Sequence, residues 1–192
     1  MADTVLPEQG TWTYEDWLQL PGDGTKYEVL SGVLYITPVP STTHQSASSR
    51  LVRAIMNYVE QYDLGEVFTA PTDVLLASEP VPVEPDILFI ARGREAIIKE
   101  ARVEGAPDLV IEIVSPSNWP YDRKTKYGLY QQNGIPEYWL VDYRARSIEV
   151  FVLDGGEYAL LGKWGDGEHA TSRVLAGLEV DVSDVFRGVR RP

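Results

Sequence analysis

The chain has 192 residues, of which 44% are hydrophobic and 24% charged, and this composition predicts one folded domain over residues 1–192 and excludes global disorder. The 17 basic and 29 acidic residues give a net charge of -12. Non-specific nucleic-acid-binding proteins usually carry a basic surface, so that class is disfavoured. There is no cysteine, which excludes disulfides and thiolate metal sites and makes the cytoplasm the expected compartment. The N-terminus has neither a basic start nor a sustained apolar stretch, so no secretory signal is expected, and no transmembrane segment is expected either.

The first third of the chain predicts a short helix, a hairpin and a long helix. A helix starts at Thr13 and ends before Pro21, and two β-rich segments flank the tight turn at Ser31-Gly32. Apolar residues then recur at helical spacing from about His44 to Tyr62. The first ten residues are expected to be flexible.

The rest of the chain alternates strands and helices and ends in a β-meander. The elements expected in chain order are a β-rich stretch over 66–76, a strand over Val83–Ile90, a charged surface helix or loop over 92–104, a strand over Leu109–Val114, a helix over Tyr121–Asn133, and meander strands over 138–142, 147–153 and 157–161. Residues 187–192 are expected to be a flexible tail. The pattern predicts an α/β fold.

Two of these apolar segments each contain a carboxylate, Asp86 in the first and Glu112 in the second. An ionised carboxylate inside a buried strand is costly unless something compensates it. Two such strands suggest that both acids face one polar site, for which a divalent metal with oxygen ligands is the best explanation. This predicts phosphodiester chemistry.

A lysine on the following helix can join the two acids. Asp122, Lys126 and Tyr130 are spaced four apart, and a short connection folds this stripe back beside the strand that carries Glu112. Two metal-binding carboxylates and one ammonium group are a minimal set for phosphodiester hydrolysis, because the metal activates water and the lysine offsets the developing charge. The neighbouring Arg123 and Lys124 could contact phosphates.

Several motifs follow one another between about residue 14 and residue 152. They are Tyr27-Glu28-Val29-Leu30-Ser31-Gly32, Pro40-Ser41 with His44, Pro85-Asp86, Glu112-Ile113-Val114-Ser115-Pro116-Ser117, Asp122 with Lys126, and Gly134-Ile135-Pro136-Glu137-Tyr138-Trp139-Leu140-Val141-Asp142. As a set in this order, they resemble the Uma-type putative restriction endonuclease family of the PD-(D/E)XK nuclease superfamily. The resemblance implies a restriction-endonuclease-like core with a mixed central sheet flanked by helices, an N-terminal hairpin and a C-terminal β-meander.

The resemblance also implies site residues. Asp86 and Glu112 would be ligands of Mg²⁺ or Mn²⁺, Glu28 a third carboxylate, and His44 a phosphate contact or proton-transfer group. Val114 stands where the superfamily has its lysine, two residues after the second acid. Lys126 would replace that lysine, and Lys124 is the second choice.

The expected function is that of a magnesium-dependent endonuclease acting on DNA. Double-strand cleavage normally uses two active sites, which suggests a homodimer. An inactive nuclease-like module that binds a protein or nucleic acid, and a hydrolase of a smaller phosphoester, are the alternatives. Structural roles are also open, namely strand capping by Asp86, an ion pair between Glu112 and Lys126, a pair between Glu28 and Lys26, and capping by His44.

Overall fold

The N-terminal elements of the computed structural model follow the sequence pattern. The structure describes residues 6–23, 25–37, 39–114 and 121–189. Of residues 121–123 it describes the backbone alone. The first four elements are helix α1 (Tyr14–Trp17), strands β1 (Lys26–Leu30) and β2 (Val33–Thr37), and helix α2 (Thr42–Tyr62). Thr13 and Asp16 form a reciprocal capping box that begins α1, and the Ser41 hydroxyl caps α2. The antiparallel β1–β2 pair confirms the hairpin.

The middle of the chain differs from the prediction at three places. Its strands are β3 (Gly65–Thr69), β4 (Val74–Leu75), β5 (Ile87–Ala91), β6 (Val103–Glu104) and β7 (Leu109–Val114). The strand expected from Val83 begins only at Ile87, because Val83 instead forms a bridge with Val74. The charged stretch contains a 3₁₀ turn at Glu95–Ile97 as well as β6, and the helix expected from Tyr121 begins with a π-helical segment, Tyr121–Lys126.

The C-terminal part supplies the meander and a small unit at its end. Its elements are α3 (Tyr127–Gln132), β8 (Glu137–Asp142), β9 (Ser147–Asp154), β10 (Glu157–Trp164), β11 (His169–Thr171), β12 (Glu179–Asp181) and α4 (Val182–Val185). The segment from β11 to α4 is called the C-terminal unit. Phe186, just before the predicted flexible tail, is completely buried. The backbone amide of Val189 still donates to the Phe186 carbonyl, so the fold is anchored up to that point.

A six-stranded mixed sheet organises the fold, in the order β10-β9-β8-β7-β5-β3. The β7–β8 pair is parallel and the other neighbours are antiparallel. The π-helical segment and α3 form the crossover that a parallel pair requires. The mixed central sheet, the N-terminal hairpin and the C-terminal meander confirm the predicted fold class.

Two apolar cores cover opposite faces of this sheet. On one face, α2 and the C-terminal unit pack against Ile111 and Ile113. On the other face, Val110 and Val114 pack with Tyr130 and Leu140. Side chains alternate along a strand, so Glu112 belongs to the second face, as its sequence position predicts.

None of the helices in the described ranges combines the length and apolar character needed to cross a bilayer.

Candidate active site

Glu112 occupies the middle of the second sheet face and is only 3% exposed. Its Oε1 accepts hydrogen bonds from Lys126 Nζ at 2.9 Å and from the Tyr130 hydroxyl at 2.6 Å. Lys126 ends the π-helical segment and Tyr130 lies one helical turn later, so the crossover presents both groups to the strand that it leaves. Within the described ranges, no donor reaches Oε2 of Glu112. Oε1 is therefore held by two donors, and Oε2 is available to a ligand.

Lys126 joins Glu112 to a second buried acid, Glu28 of the hairpin. Its Nζ lies 3.2 Å from Glu28 Oε1, and the Lys126 side chain is 2% exposed. The amide of Glu84 donates to the same Glu28 oxygen, and Lys26 Nζ lies 3.8 Å from Glu28 Oε2. The predicted pairs of Glu112 with Lys126 and of Glu28 with Lys26 are therefore both present.

Asp86 lies directly before β5, opposite Glu112, because Ile87 pairs with Ile111 in the antiparallel register. Its Oδ2 accepts from the amide of Ile113 at 2.7 Å and lies 3.3 Å from His44 Nε2. The Asp86 side chain is 14% exposed, which makes it the most accessible acid of the group. Its Oδ1 receives no donor in the part of the chain that the structure describes.

His44 contributes through two different groups near the start of α2. Its backbone amide donates to the capping hydroxyl of Ser41 at 3.2 Å, while its ring faces Asp86. The ring Nδ1 is buried without a hydrogen-bond partner among the described residues. The capping role and the contact with a site acid therefore coexist.

The carboxylates influence one another electrostatically. Burial raises the pKa of Glu112, and the nearby charges of Asp86 and Glu28 add to this effect, so that Lys126 does not cancel it. Burial also disfavours ionised Glu28, but Lys126 and Lys26 outweigh it and lower the pKa. The pKa of Asp86 is lowered because the hydrogen bond and charge of His44 prevail over burial. The pKa values of the two partners of Lys126, Glu28 and Glu112, are thus shifted in opposite directions.

This donor set fits a divalent cation that keeps part of its water shell. Mg²⁺ is commonly held by one or two carboxylates together with waters and substrate phosphates. Asp86 and Glu112 each have one oxygen anchored by protein donors and one without a donor in the described ranges. Among the described residues, no group of three or more His, Cys, Asp or Glu side chains could hold a metal by itself. Asp86 and Glu112 are therefore the residues that could hold such a cation.

The structure separates the two candidate lysines. Lys126 is buried between the acids, whereas Lys124 is exposed. The side chains of Asp122 and Arg123 lie outside the described residues, as does the motif segment 115–118 that follows Glu112.

Sequence reasoning named Lys26 only as a partner of Glu28 and missed its effect on the other two acids. Its charge favours the ionised forms of Glu28, Asp86 and Glu112, although burial still leaves the pKa of Glu112 raised. A signal was available, because Lys26 and Glu28 are two residues apart on one strand and therefore share a face.

Comparisons with known proteins agree with this fold. A model of the Uma2 family, described as putative restriction endonuclease, matches residues 14–183. An uncharacterized protein of Synechocystis sp. is 25% identical over 166 residues, covering 85% of each chain. The crystal structure of a putative nuclease belonging to DUF820 from Anabaena variabilis has a TM-score of 0.72 at 20% identity, covering 91% of this chain and 97% of the other, which shows a common fold. The family match spans most of the sequence, and this chain therefore belongs to the Uma2 family, described as putative restriction endonuclease.

Proposed function

We propose that the protein is a metal-dependent nuclease that hydrolyses phosphodiester bonds of DNA with Mg²⁺ or Mn²⁺. The observation that carries this proposal is the convergence of Asp86, Glu112 and Lys126 from three separate elements of the chain. Family membership supports nuclease chemistry. The same arrangement supports a place in the PD-(D/E)XK superfamily, with the lysine supplied by the crossover helix.

Asp86 and Glu112 would hold the cation. A bound divalent ion supplies polarisation of a phosphoryl oxygen and activation of water. Lys126 and Tyr130 fix Oε1 of Glu112, and the Ile113 amide fixes Oδ2 of Asp86, so the remaining oxygens are oriented before a ligand arrives.

Lys126 is proposed to stabilise negative charge, and His44 is proposed to contact the phosphate or transfer a proton. The Lys126 ammonium group is held beside the carboxylates of Glu28 and Glu112 and would offset negative charge that develops on the phosphate. The His44 ring, whose Nε2 lies 3.3 Å from Asp86 Oδ2, would contact the phosphate or transfer a proton. Glu28 holds the Lys126 ammonium group in place through their 3.2 Å contact.

A catalytically inactive binding module is the second candidate. The specific observation in its favour is the burial of Lys126 and Glu112 in a network where each compensates the other. Val114 in place of the usual lysine agrees with this alternative. The proposed dimer belongs to the active candidate, since double-strand cleavage uses two sites.

The test is metal binding and cleavage by matched variants. Calorimetric titration with Mn²⁺ should detect binding to the wild type and loss of binding in Asp86→Ala and Glu112→Ala. Glu66→Ala, which removes an exposed glutamate of β3, is the control and should bind like the wild type. Plasmid and single-stranded DNA should be cleaved with Mn²⁺, and a chelator should stop cleavage. Unchanged Mn²⁺ affinity in both site variants would reject the metal assignment, and no cleavage by a metal-bound wild type would favour the binding module.

A further inference from the structure

A cavity of about 370 Å³ has Glu84, two residues before Asp86, in its wall. Its apolar walls include Phe68, Pro71, Ile98 and Val103, and its polar groups include Asp73 and Glu84. The volume falls within the range of about 300–1,000 Å³ typical of small-molecule sites. The cavity is therefore large enough for an organic group rather than a bare ion.

The two carboxylates in this cavity are not used by the protein. Across the described ranges, neither the Asp73 nor the Glu84 side chain accepts a hydrogen bond or forms an ion pair within 4.0 Å. Arg102 on the cavity wall instead donates to Glu104 at 3.0 and 2.9 Å, and Lys99 donates to a backbone carbonyl at 2.6 Å. The hydrogen-bond acceptors of these half-buried carboxylates are therefore available to a ligand.

One residue of the cavity wall, Glu84, connects the cavity to the acids of the candidate site through the chain and through two hydrogen bonds. Only Pro85 separates Glu84 from Asp86 in the chain. The Glu84 amide donates to Glu28, and the Glu84 carbonyl accepts from Lys26 Nζ. A nucleic acid with a phosphate at Asp86 would therefore have its neighbouring base within reach of the cavity.

We propose that this cavity binds an unstacked nucleobase that carries an exocyclic amino group, which is cytosine, adenine or guanine, next to the scissile phosphate. The proposal rests on the proposed nuclease function. The amino group would donate to the carboxylates while the ring lies between apolar walls. Uracil or thymine would instead direct a carbonyl oxygen at Asp73 and Glu84, and this repulsion provides discrimination.

Titration of the full-length protein with cytidine and uridine, followed by amide chemical shifts in NMR spectra, tests this directly. Cytidine should bind about tenfold more tightly than uridine and shift amides of the cavity, because one charge-assisted hydrogen bond distinguishes them. Glu84→Met should abolish this difference, since the hydrogen bonds of Glu84 described above use only its backbone. Glu66→Met is the matched control for loss of one negative charge and should keep it.

Equal binding of the two nucleosides, or shifts confined to another surface, would overturn the proposal. Glu84→Gln keeps the shape and a carbonyl acceptor, so it should reduce the preference without removing it, and it serves if Glu84→Met fails to fold. Because nucleosides contain no phosphodiester bond, a preserved cytidine preference with no DNA cleavage would reject the nuclease function alone. Cleavage without any cytidine preference would reject the cavity assignment alone.

Discussion

Two buried glutamates on adjacent parallel strands behave differently, Glu112 on β7 and Glu137 on β8. Both are almost fully buried, at 3% and 0% exposure. Glu112 receives donors on one oxygen only, and one of those donors is a buried ammonium group. Glu137 has no Lys or Arg within 4.0 Å in the described part of the chain. Burial alone therefore does not distinguish a structural acid from a candidate catalytic one.

Glu137 is saturated by neutral donors on both oxygens. Its Oε1 accepts from the Trp139 ring nitrogen at 2.7 Å and from the Ser172 hydroxyl at 2.6 Å. Its Oε2 accepts from the amides of Arg173 at 2.6 Å and Val174 at 3.0 Å. These bonds attach the C-terminal unit to the sheet. The contrast indicates that an acid with an unused oxygen and titratable neighbours is the one available for chemistry.

Replacing Lys126 should give the largest effect, because it breaks the charge network around Glu112. Lys126→Met leaves Glu112 buried without a cation and Glu28 with only Lys26 at 3.8 Å, which should destabilise the protein by about 3–5 kcal/mol. Single-turnover cleavage should fall by about 10²–10³-fold while Mn²⁺ binding persists. Urea unfolding and cleavage assays measure the two quantities. Lys124→Met, at an exposed position, is the control, and wild-type cleavage by folded Lys126→Met would contradict the assignment.

Glu137→Gln should show the opposite profile. An amide can accept hydrogen bonds on only one of its two terminal atoms, so two of the present donors lose their partner and stability should fall by about 2–4 kcal/mol. Mn²⁺ affinity and the cleavage rate per folded molecule should remain at wild-type values. A loss of Mn²⁺ affinity in this variant, measured by calorimetry, would show that the contrast between the two glutamates is false.

Tyr130→Phe should have a smaller effect on both properties. It removes one of two donors to Glu112 Oε1, so stability should fall by about 1–2 kcal/mol and Mn²⁺ affinity by about tenfold. The matched control is Tyr127→Phe, because the Tyr127 hydroxyl donates to the backbone carbonyl of Tyr158. Equal Mn²⁺ affinities in the two variants would exclude a positioning role for Tyr130.

The smallest effect should be that of Glu112 protonation on the pH dependence of the free energy of unfolding. Burial raises its pKa above the usual 4.5, so the folded protein binds this proton more tightly than the unfolded chain does. This contribution to stability is fully present below pH 4.5 and is lost as the pH rises through the folded-state pKa. Glu112→Gln should remove that loss.

Urea unfolding of Glu112→Gln and wild type between pH 4 and pH 7 measures this difference. The stability of the variant relative to the wild type should increase with pH, while Glu66→Gln should leave the profile unchanged. A relative stability of Glu112→Gln that decreases with pH would mean that the folded protein favours the ionised acid.

Local periodicity accounts for the part of the site that the sequence predicted. The alternation of β7 assigned Glu112 to its face, and the four-residue spacing brought Lys126 and Tyr130 to the same acid. The prediction that Asp86 and Glu112 lie at one site followed from the presence of one carboxylate in each of two apolar segments. These inferences need only the geometry of single elements and the cost of buried charge.

Long-range packing explains what the sequence did not reveal. Asp86 precedes β5 because Val83 bridges to Val74, a contact that no local pattern encodes. The π-helical start of the crossover and the neutral partners of Glu137 also depend on tertiary contacts. Glu112 and Glu137 both lie in apolar runs, so only the donors that surround each acid distinguish them.

Anomalous diffraction from crystals soaked in Mn²⁺ tests the central claim most directly. We predict one peak between Asp86 and Glu112, with an oxygen of each carboxylate at about 2.1 Å and the other ligands supplied by water. A map without a peak at these two acids, while Mn²⁺ binds elsewhere or not at all, would contradict the account.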